Sequence, residues 1–182
     1  MNKSYALNLG LTTAVLSIVL FLLMAILGGG MILSFAIGIL ALAFMIALPI
    51  IFVRKQRKAN NGIISYKDAF LTSFVGLAIG GIVYLAFSFI YVNFIDTTYL
   101  DKMINQQIET TMSFMQGNVP EEQMVETLTE IETKTREGFT LPGMLKNLGI
   151  YLIVYAVFSL ILAAIMKRNP VIVSTSEDII DN

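Results

Sequence analysis

Few side chains in this sequence have the chemistry of a site, and those that do sit inside long apolar runs. Tyr84 and Ser88 lie one helical turn apart, as do Tyr151 and Tyr155, so each pair shares a helix face. A phenol or hydroxyl surrounded by hydrocarbon needs a hydrogen-bond partner. Two outcomes follow. The four groups line a small polar cavity that holds a ligand or lipid headgroup, or they act as interhelical glue. The second is the plainer reading, at about 0.6–2 kcal/mol per hydrogen bond in membranes. Both pairs belong to longer stripes: Ser73, Gly76, Gly80, Tyr84, Ser88 and Tyr91 in one run, Asn147, Tyr151, Tyr155, Ser159 and Ala163 in another. Gly76-x-x-x-Gly80 is a small-xxx-small motif that lets backbones approach. With Ser159 and Ala163 it makes up the candidate packing set. Counting depth from the ends of the runs puts Tyr84 level with Tyr155, Ser88 with Tyr151, and Gly80 with Ser159. The two stripes are therefore expected to face each other or a shared interior. Weaker stripes are Gly10, Ala14 and Ser17, and Ser34, Gly38 and Ala41.

The remaining chemistry is defined mostly by exclusion. There is no His and no Cys. This removes Ser–His–Asp and Cys–His catalysis, disulfides and ordinary zinc sites. No Asp, Glu, Lys or Arg interrupts the apolar runs at depth, which argues against a proton-coupled pump and against intramembrane aspartyl or serine proteolysis. Met112 and Met115 invite a Cu(I) reading through soft thioethers, but no His or Cys assists and Met also fills irregular apolar gaps. No cofactor, no metal and no enzymatic activity are expected. The basic run Arg54, Lys55, Arg57 and Lys58 is a candidate contact for anionic lipid, or simply an orientation signal.

The elements that must carry these residues follow from charge and length. The chain of 182 residues is 56% hydrophobic and 14% charged, against about 25% charged in soluble domains. Ser4 to Val53 contains no Asp, Glu, Lys or Arg. As one helix it would reach about 75 Å, far beyond a hydrocarbon core of about 30 Å. It must fold back, and Gly28-Gly29-Gly30 is where backbone entropy opposes a continuous helix. The expected spans are residues 5–27, 31–53, 69–95 and 144–168, with Pro49 expected to kink the second. The first run is longer than a signal-peptide core and no A-x-A-like cleavage site follows, so it is read as a span. Asn60-Asn61-Gly62 reads as a turn. Ser65 and Asp68 form a capping-box pattern before the third span, and Thr140 and Pro142 suit the start of the fourth.

Basic residues fall on one side of this layout: Lys3, the cluster at 54–58 with Lys67, and Lys167-Arg168. That side is expected to be cytoplasmic, with loop 54–68 and tail 169–182 inside. Segment 96–143 then lies outside, with nine acidic residues and three basic ones. Two helices are legible in it, near 98–116 and 120–137, broken at Gly117–Pro120. Leu100, Met103, Ile104 and Ile108 give one an apolar face; Met124, Leu128 and Ile131 give the other theirs. They should form an acidic helical hairpin, capped at Gly138. Asn93–Asp101 holds neither Gly nor Pro, so the third span is expected to run on into the first of these helices. The tail is expected to be disordered.

Three segments carry a likeness: Gly62-Ile63-Ile64-Ser65-Tyr66-Lys67-Asp68-Ala69-Phe70, Tyr91-Val92-Asn93-Phe94-Ile95-Asp96, and Ile161-Leu162-Ala163-Ala164-Ile165-Met166-Lys167-Arg168. Across about residues 1–168 the chain resembles a family of small bacterial membrane proteins catalogued as domain of unknown function 4199. The resemblance implies a four-span inner-membrane protein and brings no known activity. The expectation is thus an all-α integral membrane protein: a four-helix bundle in the bacterial inner membrane, both termini cytoplasmic, with an extracytoplasmic hairpin between spans three and four. Its expected role is a non-enzymatic accessory or scaffold subunit that contacts the lipid bilayer and a membrane-protein partner or a second copy of itself. The alternative is a small-molecule or lipid-binding carrier with its site at Tyr84, Ser88, Tyr151 and Tyr155. A cavity reaching that cluster favours the carrier; a closed, dry interior favours the scaffold. Nothing points to nucleic acid.

Overall fold

The computed structural model describes residues 3–28, 30–115 and 119–168. The expectations for Gly29, for Gln116-Gly117-Asn118 and for the tail from Asn169 lie outside these residues. Among the described residues there are no strands, and six α-helices: α1 (Lys3–Leu27), α2 (Met31–Ala59), α3 (Tyr66–Ile90), α4 (Tyr99–Met115), α5 (Glu121–Gly138) and α6 (Leu141–Met166). A π-helical turn, Tyr91–Ile95, extends α3. α1, α2, α3 with its π turn, and α6 are each long and apolar enough to cross a membrane.

Local chemistry sets the boundaries. Gly28 ends α1 in the left-handed region at φ +63°, where a Cβ would be strained. α2 passes through Pro49 and the basic run to Ala59, beyond its expected end at Val53, because Arg, Lys and Gln are good helix formers. Asn61 (φ 55°) and Gly62 (φ 84°) then reverse the chain, and the Gly62 amide closes back on the Arg57 carbonyl at 2.9 Å. Ser65 caps α3: its Oγ accepts the Asp68 amide at 3.0 Å and donates to the Asp68 carboxylate at 2.9 Å. Thr140 caps α6 by accepting the Gly143 amide at 3.2 Å. α5 ends one residue later than its expected cap, with Gly138 still helical and Phe139 in the cap position.

One expectation fails. α3 does not run on into α4. The Asp96 carboxylate accepts from the Thr98 amide at 3.1 Å and the Thr98 hydroxyl at 2.6 Å. This Asx turn gives the backbone an alternative to the helix without Gly or Pro. The Thr98 hydroxyl bond holds the Asp96 carboxyl below its ordinary range.

α3 is the middle element. α1 packs along one side of it and α6 along another, while α2 leans on α1 and α3 and barely meets α6. α1 and α3 touch backbone to backbone. A Cβ on Gly10 would stand 2.7 Å from the Cβ of Ile79, and one on Gly76 would stand 2.5 Å from the Leu9 side chain. At one end Val53, Ile64, Ala69, Leu162, Ala163 and Met166 form a cluster. Beside it Ile64 and Arg168 pair by two backbone hydrogen bonds, of 3.1 and 2.9 Å. At the other end Phe21, Val92 and Tyr99 form a second cluster. α4 and α5 pack on each other there, with Arg136 paired to Asp101 at 2.8 Å and the Thr135 hydroxyl donating to Gln107 at 3.3 Å. Elsewhere the long helices turn apolar side chains outward: Phe35, Ile153 and Ile165 are each about two-thirds exposed or more. Apolar exposure on that scale suits a lipid surround rather than water.

Candidate functional site

Three of the four predicted cluster residues meet in one chamber. Tyr84 from α3 and Tyr151 and Tyr155 from α6 line a half-open cavity of about 530 Å³ between α1, α2, α3 and α6, with Tyr99, Met103 and Phe139 at one end. The Tyr155 ring lies on α3 at Gly81, where a Cβ would come within 2.9 Å of it. Its neighbour Tyr151 stands one turn away, with ring centroids 6.3 Å apart. Phe21 of α1 braces the far wall. It meets Tyr84 edge-on at 6.2 Å and packs against Tyr91 and Tyr99 at 5.2 Å each, distances typical of favourable aromatic pairs.

The polar groups of the chamber are all hydroxyls. Among the described residues, those of Ser17, Tyr84, Tyr99, Tyr151 and Tyr155 make no hydrogen bond to protein. Thr13 differs, donating to the Leu9 carbonyl at 2.8 Å. No charged side chain lines the walls. Burial pushes the Tyr99 phenol up from its ordinary value, so it stays a neutral donor. Such a space can solvate an uncharged chain and offer it a few hydrogen bonds.

Ser88 is not part of it. Its hydroxyl donates to the Leu85 carbonyl of its own helix at 3.0 Å, and the residue is buried. Ser73 likewise bonds the Ala69 carbonyl at 2.8 Å. These serines therefore do not act as interhelical glue. A hydroxyl one turn downstream of a free lone pair satisfies itself more cheaply than one that must cross to another helix. An interhelical bond does form between Thr72 and Gln56, at 2.6 Å, between two buried side chains at the basic end of α2.

The packing residues are buried, but with other partners than depth counting suggested. Gly76 and Gly80 lie against Leu9 and Thr13 of α1, and it is Gly81 that takes Tyr155. The reason is register. Ile64 pairs with Arg168, and nine residues from each member of that pair lie Ser73 and Ser159. Both helices rise about 1.5 Å per residue, so Ser159 falls level with Ser73 rather than Gly80. Ala163 then falls level with Ala69, with which it shares the buried cluster. Ser159 Oγ also has no partner and, unlike the chamber hydroxyls, is itself wholly shielded.

Sequence reasoning missed Phe21, Tyr99 and Phe139. Phe21 extends the Gly10, Ala14, Ser17 stripe by one turn, and that spacing was the available signal. In the basic run, Arg54, Lys55 and Lys58 are exposed and Arg57 half-buried. The Lys55 ammonium sits 5.3 Å from the Phe52 ring centroid. The Ile64–Arg168 pair holds the end of α6 beside the loop that follows this run.

Fold and site together define, among the described residues, an all-helical protein with four helices apolar enough to cross a membrane and an uncharged, hydroxyl-lined cavity among them. The chain belongs to the family described as Protein of unknown function (DUF4199), whose model matches residues 8–168. No curated protein and no solved structure matches it.

Proposed function

We propose that this is a non-enzymatic carrier or binding protein that takes an amphipathic lipid inside the membrane, in the chamber of Tyr84, Tyr151 and Tyr155. The observation that carries this reading is the chamber itself. A scaffold subunit with no ligand needs a closed, dry interior, whereas here five hydroxyls without protein partners line about 530 Å³ of mostly apolar space. That volume falls within the roughly 300–1,000 Å³ of ordinary ligand sites. The excess of Lys and Arg at the end carrying Lys3, Arg54–Lys58 and Arg168 supports cytoplasmic termini in a bacterial inner membrane. α4 and α5 then form an acidic extracytoplasmic hairpin, and Arg54, Lys55, Arg57 and Lys58 meet the anionic headgroups of the inner leaflet.

The test is native mass spectrometry of the chain purified in mild detergent. One lipid per chain is expected. Ala41→Trp, which fills the chamber, should remove it. Gly38→Trp, on a part of α2 with nothing within 4 Å, should retain it. Recovery of a stoichiometric protein partner with no lipid would return the scaffold reading.

A further inference from the structure

A second cavity, of about 770 Å³, lies between the ends of α1 and α2 and the face of α4. Its polar side chains are Ser34, Gln106, Gln107, Thr110 and Thr111, and none of its lining residues is charged. The Gln106 amide reaches across it to the Ser34 hydroxyl at 3.4 Å. Met24 and Met103 line this cavity and also line the tyrosine chamber. The two spaces therefore adjoin at these two methionines, the most deformable of apolar side chains.

The dimensions suit one class of occupant. From Met24, where the two spaces adjoin, to Thr13 at the chamber's far end, α1 rises about 16 Å. That is close to half of a hydrocarbon core of about 30 Å, the depth one acyl chain occupies in its own leaflet. The outer cavity sits where α1 ends and α2 begins, at the level of lipid headgroups. Its amides and hydroxyls can donate and accept, and they offer no counter-charge to a phosphate or carboxylate. Transfer of an ionised head to such a site is penalised by desolvation.

Resting on the lipid-binding reading above, we infer that a single lipid spans both cavities. Its uncharged, hydroxyl-bearing head lies on Gln106, Thr110 and Ser34, and its acyl chain passes between Met24 and Met103 into the tyrosine chamber. The ligand class is a neutral glycerol- or sugar-headed lipid, in the orientation it holds in the outer leaflet.

The chain reports on its own chamber, because it has no Trp and four of its seven tyrosines line that space. The probes are a monoacylglycerol whose stearoyl chain is brominated at its middle, and a lysophosphatidylglycerol with the same chain. Each is titrated into the full-length protein in detergent, with quenching of tyrosine emission as the readout. Saturable quenching at one glycerol-headed molecule per chain is expected, with the anionic probe binding about tenfold more weakly. Gln106→Leu with Thr110→Val should weaken the neutral probe about tenfold, the worth of two neutral hydrogen bonds. Met24→Phe with Met103→Phe should abolish quenching by closing the way between the two spaces. Equal affinity for the two probes, or undiminished quenching in the Met24 and Met103 double variant, overturns the two-cavity assignment and leaves intramembrane lipid binding standing. Absence of saturable quenching by either probe overturns both.

Discussion

Gly10→Ala should separate α1 from α3. The added Cβ would lie 2.7 Å from both Cβ and Cγ2 of Ile79 and 3.0 Å from the Gly76 carbonyl oxygen. Carbon atoms in contact sit at about 3.5–4.0 Å, so the helices must part by close to an ångström. Neither neighbour can rotate away: one is the branch point of a stiff side chain, the other is backbone. Overpacking of this kind costs about 1–3 kcal/mol. Alanine's better helix propensity returns at most about 1 kcal/mol, so a net loss near 1–2 kcal/mol is expected. Gly38 supplies the control, because nothing lies within 4 Å of its position, and Gly38→Ala should be neutral or slightly stabilising. The assay is titration of the detergent-solubilised protein with a denaturing detergent, followed by circular dichroism. Ile79→Ala in the Gly10→Ala background should recover part of the loss, because it removes Cγ2 and leaves the Ile79 Cβ position and the Gly76 oxygen in the way. If Gly10→Ala proved as stable as Gly38→Ala, the close approach of α1 and α3 described above would be wrong.

Thr72→Val keeps the shape of the side chain but leaves the Gln56 amide oxygen buried without its donor, and should cost about 1–3 kcal/mol in the same titration. Ser159→Ala removes a hydroxyl that has no partner, so it should be neutral or stabilising there, unlike most core substitutions. Ile104→Asp puts a carboxylate where α4 is only 2% exposed, and should raise protease cleavage within 96–143. The Asp96 turn should depend on pH. Its carboxyl is held below the ordinary value of 3.8, so its contribution is complete above that value and is lost as pH falls through the lower folded value. Asp96→Asn keeps a side-chain acceptor that does not titrate, and the Thr98 amide resonance should then hold its position in acid while that of the parent chain moves.

Much of the helix layout was legible because lack of charge over twenty or more residues has few explanations. Ser65 and Thr140 were legible too, since capping is local and the residue type carries the geometry. Pairing was not. A stripe such as Gly76 and Gly80 tells which face is small, but not which helix comes to it. The answer depends on a contact between Ile64 and Arg168, in segments with no pattern of their own. Ser88 shows a second limit: a hydroxyl on a helix face can turn back to its own carbonyls, and spacing is the same either way. Asp96 shows a third, because an Asx turn competes with helix through one carboxylate, where Gly and Pro are the usual breakers. The chamber shows the pairing limit again. Tyr84, Tyr151 and Tyr155 were visible from their helical spacing and Tyr99 was not, but the space exists because α2 stands off from α6, a relation that belongs to no single stretch of chain.

The pairing of Ile64 with Arg168 also has a bearing on how the protein is made. A ribosome delivers residue 64 long before residue 168, so the start of α3 waits, one strand-like edge unmet, until α6 has been made and its end reaches it. Any product cut short before α6 has at most the five helices α1–α5 and no latch. Closing this latch, two backbone hydrogen bonds between Ile64 and Arg168, therefore has to follow the synthesis of α6.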